Sequence, residues 1–479
     1  MNMTRREMLC GAAAFSIGGW RLFAAPLGWK PRQKPNLVFG VLSDTHLIST
    51  RKGVEKMAWT RGGKVGGPGS PDQYLVSAFQ YFKKNNVDAV MLCGDIADQG
   101  LVSEMEWTAN AWRKVFPENT ADDGRKVEKL FVTGNHDVEG MWRVARDIPD
   151  EAERKRKMLS TDMEGNWQRI WGEPYEDVWH KEIKGYHFFG RNYGEIQKEK
   201  LVKLLQTSEE KYKINQGRKP FFITSHTGYF GNNNKWFREA LKKYTRNAVA
   251  FYGHYHWSAS NWTRIFFMVS DLMPELQCPP CGPFQGSLGS KNPLISKDKI
   301  EGEDSIGMCR QGFLVSVYPD MMVVHRRDFG LGGSIGQDWI MPLGKFDPHP
   351  FSQAELKKVI GSPQFPKSAK LKIEDFRKVE GVDKTPHISL MIPHANGNPD
   401  SRVFAYMVEV TGGSGGRKFS RALYAPGCNL GIGHEPNGGV ATIQIPVHEI
   451  PAGKTLLFSV KPLSSLGTAG KPITGKIKA

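Results

Sequence analysis

Short apolar runs recur along the first part of the chain, and each stops at a cluster of polar residues. Leu37-Val38-Phe39-Gly40-Val41-Leu42 ends in Ser43-Asp44-Thr45-His46. Ala89 to Cys93 ends in Gly94-Asp95-Ile96-Ala97-Asp98. Lys129 to Thr133 ends in Gly134-Asn135-His136-Asp137, Phe221 to Thr224 in Ser225-His226, and Ala248 to Tyr252 in Gly253-His254-Tyr255-His256. Continuous apolar runs this short read as buried strands. Between them the period changes. Ser70-Pro71-Asp72-Gln73 carries the residues of a capped helix start, and Tyr74, Leu75, Ala78, Phe79 and Phe82 then share one helical face. Further helices are expected near Ser103–Val115, Ile196–Leu205 and Trp236–Tyr244. Strands are expected at Tyr186–Phe189, Arg264–Val269, Phe313–Tyr318 and Met321–His325. A charged segment with tryptophans between residues 140 and 180 is read as a helical insertion.

Strands and helices alternate early and strands dominate late, which predicts an α/β layered fold with helices covering the sheet faces. From about Lys345 to Pro366 the chain is rich in proline and polar residues. Beyond it, Phe404, Tyr406, Val408 and Val410, and again Leu456, Phe458 and Val460, follow a period of two. That period, with Gly, Pro and Asn at the turns, predicts an antiparallel all-β sandwich. The expected organisation is a segment 1–25, a motif-bearing domain 34–344, a linker 345–366 and a β-sandwich 367–479.

Composition adds an address. With 39% hydrophobic and 11% aromatic residues the chain can bury a core, so wholesale disorder is excluded. Residues 1–25 resemble a twin-arginine signal: Arg5-Arg6 precede an apolar stretch, Leu9 to Trp20, too short to span a bilayer. Leu22 to Pro26 would be the cleavage region. No later run is long enough for a membrane span. The expected location is therefore periplasmic or extracellular. The formal charge of +16 favours anionic partners, but the basic residues are scattered, and no dedicated nucleic-acid module is read. Cys278-Pro279-Pro280-Cys281, with Cys309 further on, reads as a local disulfide or as inert thiols in a long loop. A zinc site would need a second such pair. The glycine-rich stretch 49–70 follows the first motif and is read as a loop over the site or a simple connector.

The polar clusters all sit at the C-terminal ends of strands, the edge at which ligands gather in α/β sheets. They bring Asp44, His46, Asp95, Asn135, His136, His226, His254 and His256. Five of the 13 histidines of the chain lie there, whereas His180, His187, His325, His349, His387, His394, His434 and His448 are read as ordinary packing or surface histidines. Carboxylate and imidazole donors without thiolates suit Zn, Mn or Fe. Seven donors, one of them a carboxylate able to bridge, fit two ions better than one. Two such ions, roughly 3.5–4 Å apart, would clamp both oxygens of an in-line displacement.

Taken together, Asp44-x-His46, Gly94-Asp95-x-x-Asp98, Gly134-Asn135-His136-Asp137, His226 and Gly253-His254-x-His256 resemble the calcineurin-like metallophosphoesterase family over roughly residues 36–340. The resemblance implies an αββα fold, a layered β-sandwich flanked by helices. It implies two divalent metals, with Asp44, His46 and His256 on one, Asn135, His226 and His254 on the other, and Asp95 between them. A metal-bridging hydroxide would attack phosphorus in a mono- or diester. His136 would be catalytic rather than a ligand, with Asp137 orienting its ring. Purple acid phosphatases carry a tyrosine where this chain has Asp98, which argues against that subgroup; Asp98 is expected to hold a ligand histidine in place. Ser225 stands where many relatives have glycine. Trp257 either lines the pocket or packs. The C-terminal sandwich resembles a fibronectin-type-III or Ig-like module, and glycan or cell-envelope contact is one role it could take. The competing readings are a metal-dependent nuclease and a catalytically weak envelope-binding protein.

Overall fold

A computed structural model describes residues 23–24, 33–47, 71–139, 148–154, 163–217, 219–228, 235–260, 266–267, 273–281, 285–287, 300–301, 305–308, 310–343, 357, 361–377, 386–396, 402–412, 419–428, 430–434, 439–451 and 453–478. Most of the N-terminal segment, the 49–70 stretch, Cys10, Cys309 and most of 345–360 lie outside these residues.

The expected αββα layering is present. One seven-stranded sheet contains β1 (Leu37–Leu42), β2 (Ala89–Cys93) and β3 (Glu128–Val132) as parallel neighbours. The opposing six-stranded sheet starts at its edge with β4 (Val178–Ile183) and β5 (Tyr186–Arg191). It continues through β6 (Phe221–Ser225) and β7 (Ala248–Tyr252), parallel to each other, to β8 (Glu275–Gln277). Parallel pairing turns the C-terminal ends of β1, β2 and β3 to one edge, and those of β6 and β7 to one edge of the second sheet.

Phenylalanines fill the space between the sheets. Phe39 of β1 meets Phe188, Phe222 and Phe251 of the second sheet edge-on, at ring-centre distances of 5.4, 5.0 and 5.7 Å. All four are buried, and each such side chain is worth about 1.5–3 kcal/mol of transfer free energy. On the outer face of the first sheet lies helix α1 (Pro71–Lys84), which buries Leu75, Ala78, Phe79 and Phe82 as its period requires. Helix α2 (Val102–Val115) packs beside it, its start held by the buried Glu104, whose carboxylate accepts the N–H groups of Gln99 and Leu101. Helix α3 (Met163–Trp171) completes that layer. Helices α4 (Ile196–Tyr212) and α5 (Lys235–Lys242) cover the second sheet.

The first sheet is extended by β9 (Gln311–Val317), β10 (Met321–Asp328) and β11 (Trp339–Pro342). Phe23–Ala24, inside the expected cleavage region, pairs antiparallel with Ile340 and Trp339 at its edge.

After residue 366 the described elements are strands, apart from a short 3-10 turn at Val447–Glu449. A three-stranded sheet (Lys372–Phe376, His387–Ile392, Ala441–Pro446) faces a larger one built on Ala405–Gly412, Phe419–Tyr424, Thr455–Leu463 and Ile473–Lys478. Tyr406, Val408, Val410, Leu456, Phe458 and Val460 are buried between them, as the period of two predicts. The described end of the expected linker packs on this domain: Gln364 and Asn396 exchange main-chain hydrogen bonds of 2.6 and 2.8 Å, and Phe365 stacks on Tyr406. The all-β part also meets the first sheet region directly, where Gly431 donates its N–H to Asp328 Oδ2 at 3.0 Å and Ile432 donates to Ser334 O at 2.9 Å. Among the described residues, no helix is long and apolar enough to cross a membrane.

Of the two readings of the cysteine pair, a local disulfide or inert thiols, the second fits. Cys278 and Cys281 are buried free thiols. They lie at a strand end rather than in an open loop, because Cys278 N–H donates to Tyr252 O at 2.6 Å and Cys281 N–H to Ser43 O at 2.9 Å. Burial raises both thiols, Cys281 to about 12, so they are inert as nucleophiles.

Candidate metal centre

The motif loops converge where the two sheets face each other. Asp44, His46, Asp95, Asn135 and His226 are buried, and His254 and His256 are partly so. Asp95 stands at the centre. The main-chain N–H of His136 holds its Oδ1 at 2.8 Å. Its Oδ2 is thereby aimed at His226 Nε2, 3.0 Å away, and His46 Nε2, 3.6 Å away. On one side Asp44, His46 and His256 gather with Asp95; on the other, His226 and His254 gather with the same carboxylate. Asn135 joins the second group, its Oδ1 lying 3.0 Å from His226 Nε2 and 3.1 Å from His254 Nδ1. All seven expected ligands are thus brought together.

The donor spacing fits metal ions. Ligands at roughly 2.0–2.2 Å from an ion stand about 2.8–3.6 Å from each other in octahedral or tetrahedral sets. His46 Nε2 and His256 Nε2 are 3.1 Å apart, His226 Nε2 and His254 Nδ1 3.2 Å, and His256 Nε2 and Asp44 Oδ1 3.1 Å. The outer ring nitrogens are held elsewhere, which fixes the rings. His46 Nδ1 meets Asp98 Oδ1 at 3.2 Å, and His226 Nδ1 lies 2.9 Å from Cys93 O and so donates to it. Asp44 accepts the His254 N–H on both oxygens, at 3.0 and 3.1 Å.

The buried carboxylates and imidazoles of the cluster shift one another strongly. Burial would raise the Asp44 carboxyl, but His256 and His226 hold it down to about 2. Burial likewise opposes ionisation of Asp95, yet His226 and His46 hold it far below the usual carboxylate range. Burial would lower His226, but Asp95 and Asp44 lift it to about 9. His254 is held low by burial and by His226.

The backbone is strained at the same place. Ten non-glycine residues among those described have positive φ, and Asp44, His46, Asp95, His254 and His256 are five of them, with φ between 40° and 78°. Left-handed conformations at such residues cost about 1–3 kcal/mol each and collect at functional sites. Two glycines permit the close approach. A Cβ on Gly134 would strike the Asp95 carboxylate and main chain, and one on Gly253 would strike Ser43 Oγ and Asp44 Oδ2.

His136 sits beside the cluster, its ring edge-to-face with His46 at 4.5 Å. Its Nδ1 lies 2.6 Å from the carbonyl oxygen of Asp98, and Asp98 Oδ1 is 3.6 Å away. The expectation that Asp137 orients this ring is corrected. The Asp137 carboxylate accepts three main-chain N–H groups, from Ala97 at 2.7 Å, Gly134 at 2.7 Å and Ile96 at 3.2 Å. Residues 135–139 are helical, and a carboxylate at a helix start captures the free N–H groups there. Burial and the charge on Asp95 push Asp137 up to about 7, against the pull of those donors. Asp137 therefore ties the Gly134 loop to the Asp95 turn.

Sequence reasoning left four parts of this framework unassigned: the Cys278–Cys281 segment, which closes the floor through Ser43; Cys93 O as the partner of His226; Gln311, whose Oε1 accepts the Ala259 N–H at 2.7 Å just beyond the last motif; and Asn192, whose Oδ1 accepts the Thr133 N–H at 2.7 Å. Only the cysteines carried a readable signal. A cavity of about 410 Å³ lies away from the site, among Phe131, Trp171 and Trp179, and none of the candidate ligands lines it.

Residues 37–258 match the family model for calcineurin-like phosphoesterases. No curated protein sequence matches the chain. Among solved structures, a dimetal phosphatase from Danio rerio is 13% identical, covering 65% of this chain and 100% of its own, with a TM-score of 0.37. A predicted phosphoesterase from Streptococcus pneumoniae is 11% identical over 64% of this chain and 97% of its own, with a TM-score of 0.26. An archaeal phosphodiesterase is 16% identical over 51% and 85%, with a TM-score of 0.23. Scores this low carry no conclusion about activity.

Proposed function

We propose, from the premise that residues 37–258 form a calcineurin-like phosphoesterase domain, that this protein hydrolyses a phosphate mono- or diester at a centre of two divalent ions, Mn, Fe or Zn. The observation that carries the reading is the sharing of Asp95: two separate donor groups, each with ligand-like spacing, meet at one carboxylate. Asp44, His46 and His256 would hold one ion, Asn135, His226 and His254 the other, and Asp95 both. Two ions bound there would supply Lewis acidity and lower the pKa of water for in-line attack at phosphorus.

The remaining work falls to the chain. Because a carbonyl oxygen accepts, His136 Nδ1 donates to Asp98 O, and Nε2 is the nitrogen on the other side of the ring. We assign His136 Nε2 the delivery of a proton, or a hydrogen bond, to the leaving oxygen. Asp98 O positions that ring and Asp98 Oδ1 the His46 ring. Asp137 holds the two loops in register. The C-terminal domain supports the first through the Asp328–Gly431 junction. Export through the twin-arginine route rests on Arg5, Arg6 and the apolar stretch after them.

The test is a panel of phosphomonoesters, phosphodiesters and pyrophosphate offered to the chelated protein and to the protein reloaded with Mn, Fe or Zn. Hydrolysis of an ester class that chelation abolishes and reloading restores is expected. No hydrolysis of any of them with any ion would remove the proposal.

A further inference from the structure

Tyr255 is the residue between two candidate ligands, and its ring is left open. It is 45% exposed, while its neighbours in the motif are largely covered. The surrounding backbone fixes where it points. His254 and His256 have φ of 78° and 52°, and the Tyr255 N–H donates to Gly253 O at 3.0 Å across a tight turn. One face of the ring is backed by Trp257, stacked at 4.7 Å with the planes 13° apart. T-shaped contacts join it to His254 at 5.1 Å and Tyr252 at 6.3 Å. The ring is therefore packed against a candidate ligand, and two candidate ligands flank it in the chain. Val138, directly after Asp137 in the short helix of another motif, adds exposed apolar surface.

An aromatic stack braced in this way and left facing water beside a phosphoester site has a chemical reading. Aromatic faces stack on flat π groups with little regard for their polar edges, and rigid anchors lose little entropy on binding. We infer that Tyr255, backed by Trp257, is a specificity platform that takes a flat aromatic group of the ester, a nucleobase or an aryl ring. This deepens the phosphoesterase reading and rests on it. Small alkyl phosphates and pyrophosphate would reach the metals without this contact.

The test separates the platform from the metal centre. Calorimetric titration of the Mn-loaded full chain compares AMP with ribose 5-phosphate, which differ only in the base, and phenyl phosphate with methyl phosphate. AMP and phenyl phosphate are expected to bind about tenfold or more tightly than their counterparts. Y255A should bring both ratios close to one, and Y255F should keep them. A preference in the AMP pair alone identifies a base pocket, and in both pairs a general aromatic platform; either supports the inference. Ratios near one in the unaltered protein, or ratios that Y255A leaves intact, would overturn it while the phosphoester reading stands. Binding of none of the four phosphates would overturn both.

Discussion

His136 Nδ1 lies 2.6 Å from the main-chain carbonyl of Asp98, not against the carboxylate of its sequence neighbour Asp137. The contact engages Nδ1, and Nε2 has the proposed substrate-facing role. His136→Ala should therefore retain its metal content and lose turnover by roughly 10²–10⁴, the range for a general acid. Metal analysis and kcat on the same preparation decide it, and loss of metal in this variant would contradict the assignment.

Asp98→Ala makes a different demand. The carbonyl that holds His136 remains, but the 3.2 Å contact to His46 Nδ1 is gone. Removing such an outer partner of a ligand histidine costs about 10–100-fold in metal affinity or activity. Chelator competition should show that loss, and activity should recover at high metal concentration. A kcat deficit that metal does not repair would point to a role on substrate instead.

Asp137→Asn should be a stability variant. Its carboxylate accepts three N–H groups while fully buried, and an amide nitrogen in that nest would face donors. About 1–3 kcal/mol or more is expected for each donor left unpaired, read as a lower urea midpoint. A variant as stable as the parent and impaired only in kcat would restore the orienting role.

The His180–His187 pair predicts a pH dependence away from the metals. Its ring nitrogens are 2.9 Å apart, against Phe189 and Tyr212. Burial, then His187, holds His180 below the usual imidazole range, and burial does the same for His187. Glu182 pulls the other way on both, Lys211 adds to the depression of His180, and Lys219 to that of His187. A depressed folded pKa means that the unfolded chain binds the proton first. Stability is then complete above about pH 6.5 and falls as acid drops below it. His187→Gln should flatten urea-derived stability between about pH 7 and pH 5. An unchanged slope would contradict the coupling.

Much of this fold was legible because burial on both strand faces writes unbroken apolar runs. The five motif strands and the α1 face appear within a residue or two of their expected places. β4 was missed because a charge falls on each face of Val178–Ile183, Lys181 on one and Glu182 on the other, so no clean alternation marks this edge strand. β8 was missed because Glu275 and Gln277 are polar yet buried, so no hydrophobic period announces it. The candidate ligands could be picked from strand ends, since parallel pairing carries those ends to one edge. The roles of Asp137 and the cysteines could not, because they depend on which main-chain groups lie within reach after folding. Nor does any residue pattern disclose the positive φ at Asp44, Asp95 and His254.

The proposed two-ion site rests on the shared position of Asp95 Oδ2 between His226 and His46. Metal content per chain, measured on the full protein saturated with Mn or Zn and then dialysed, tests that claim most directly. The account predicts two ions per chain for the unaltered protein and one or none for Asp95→Asn. A single ion in the unaltered protein, or two ions held as tightly by Asp95→Asn, would contradict it.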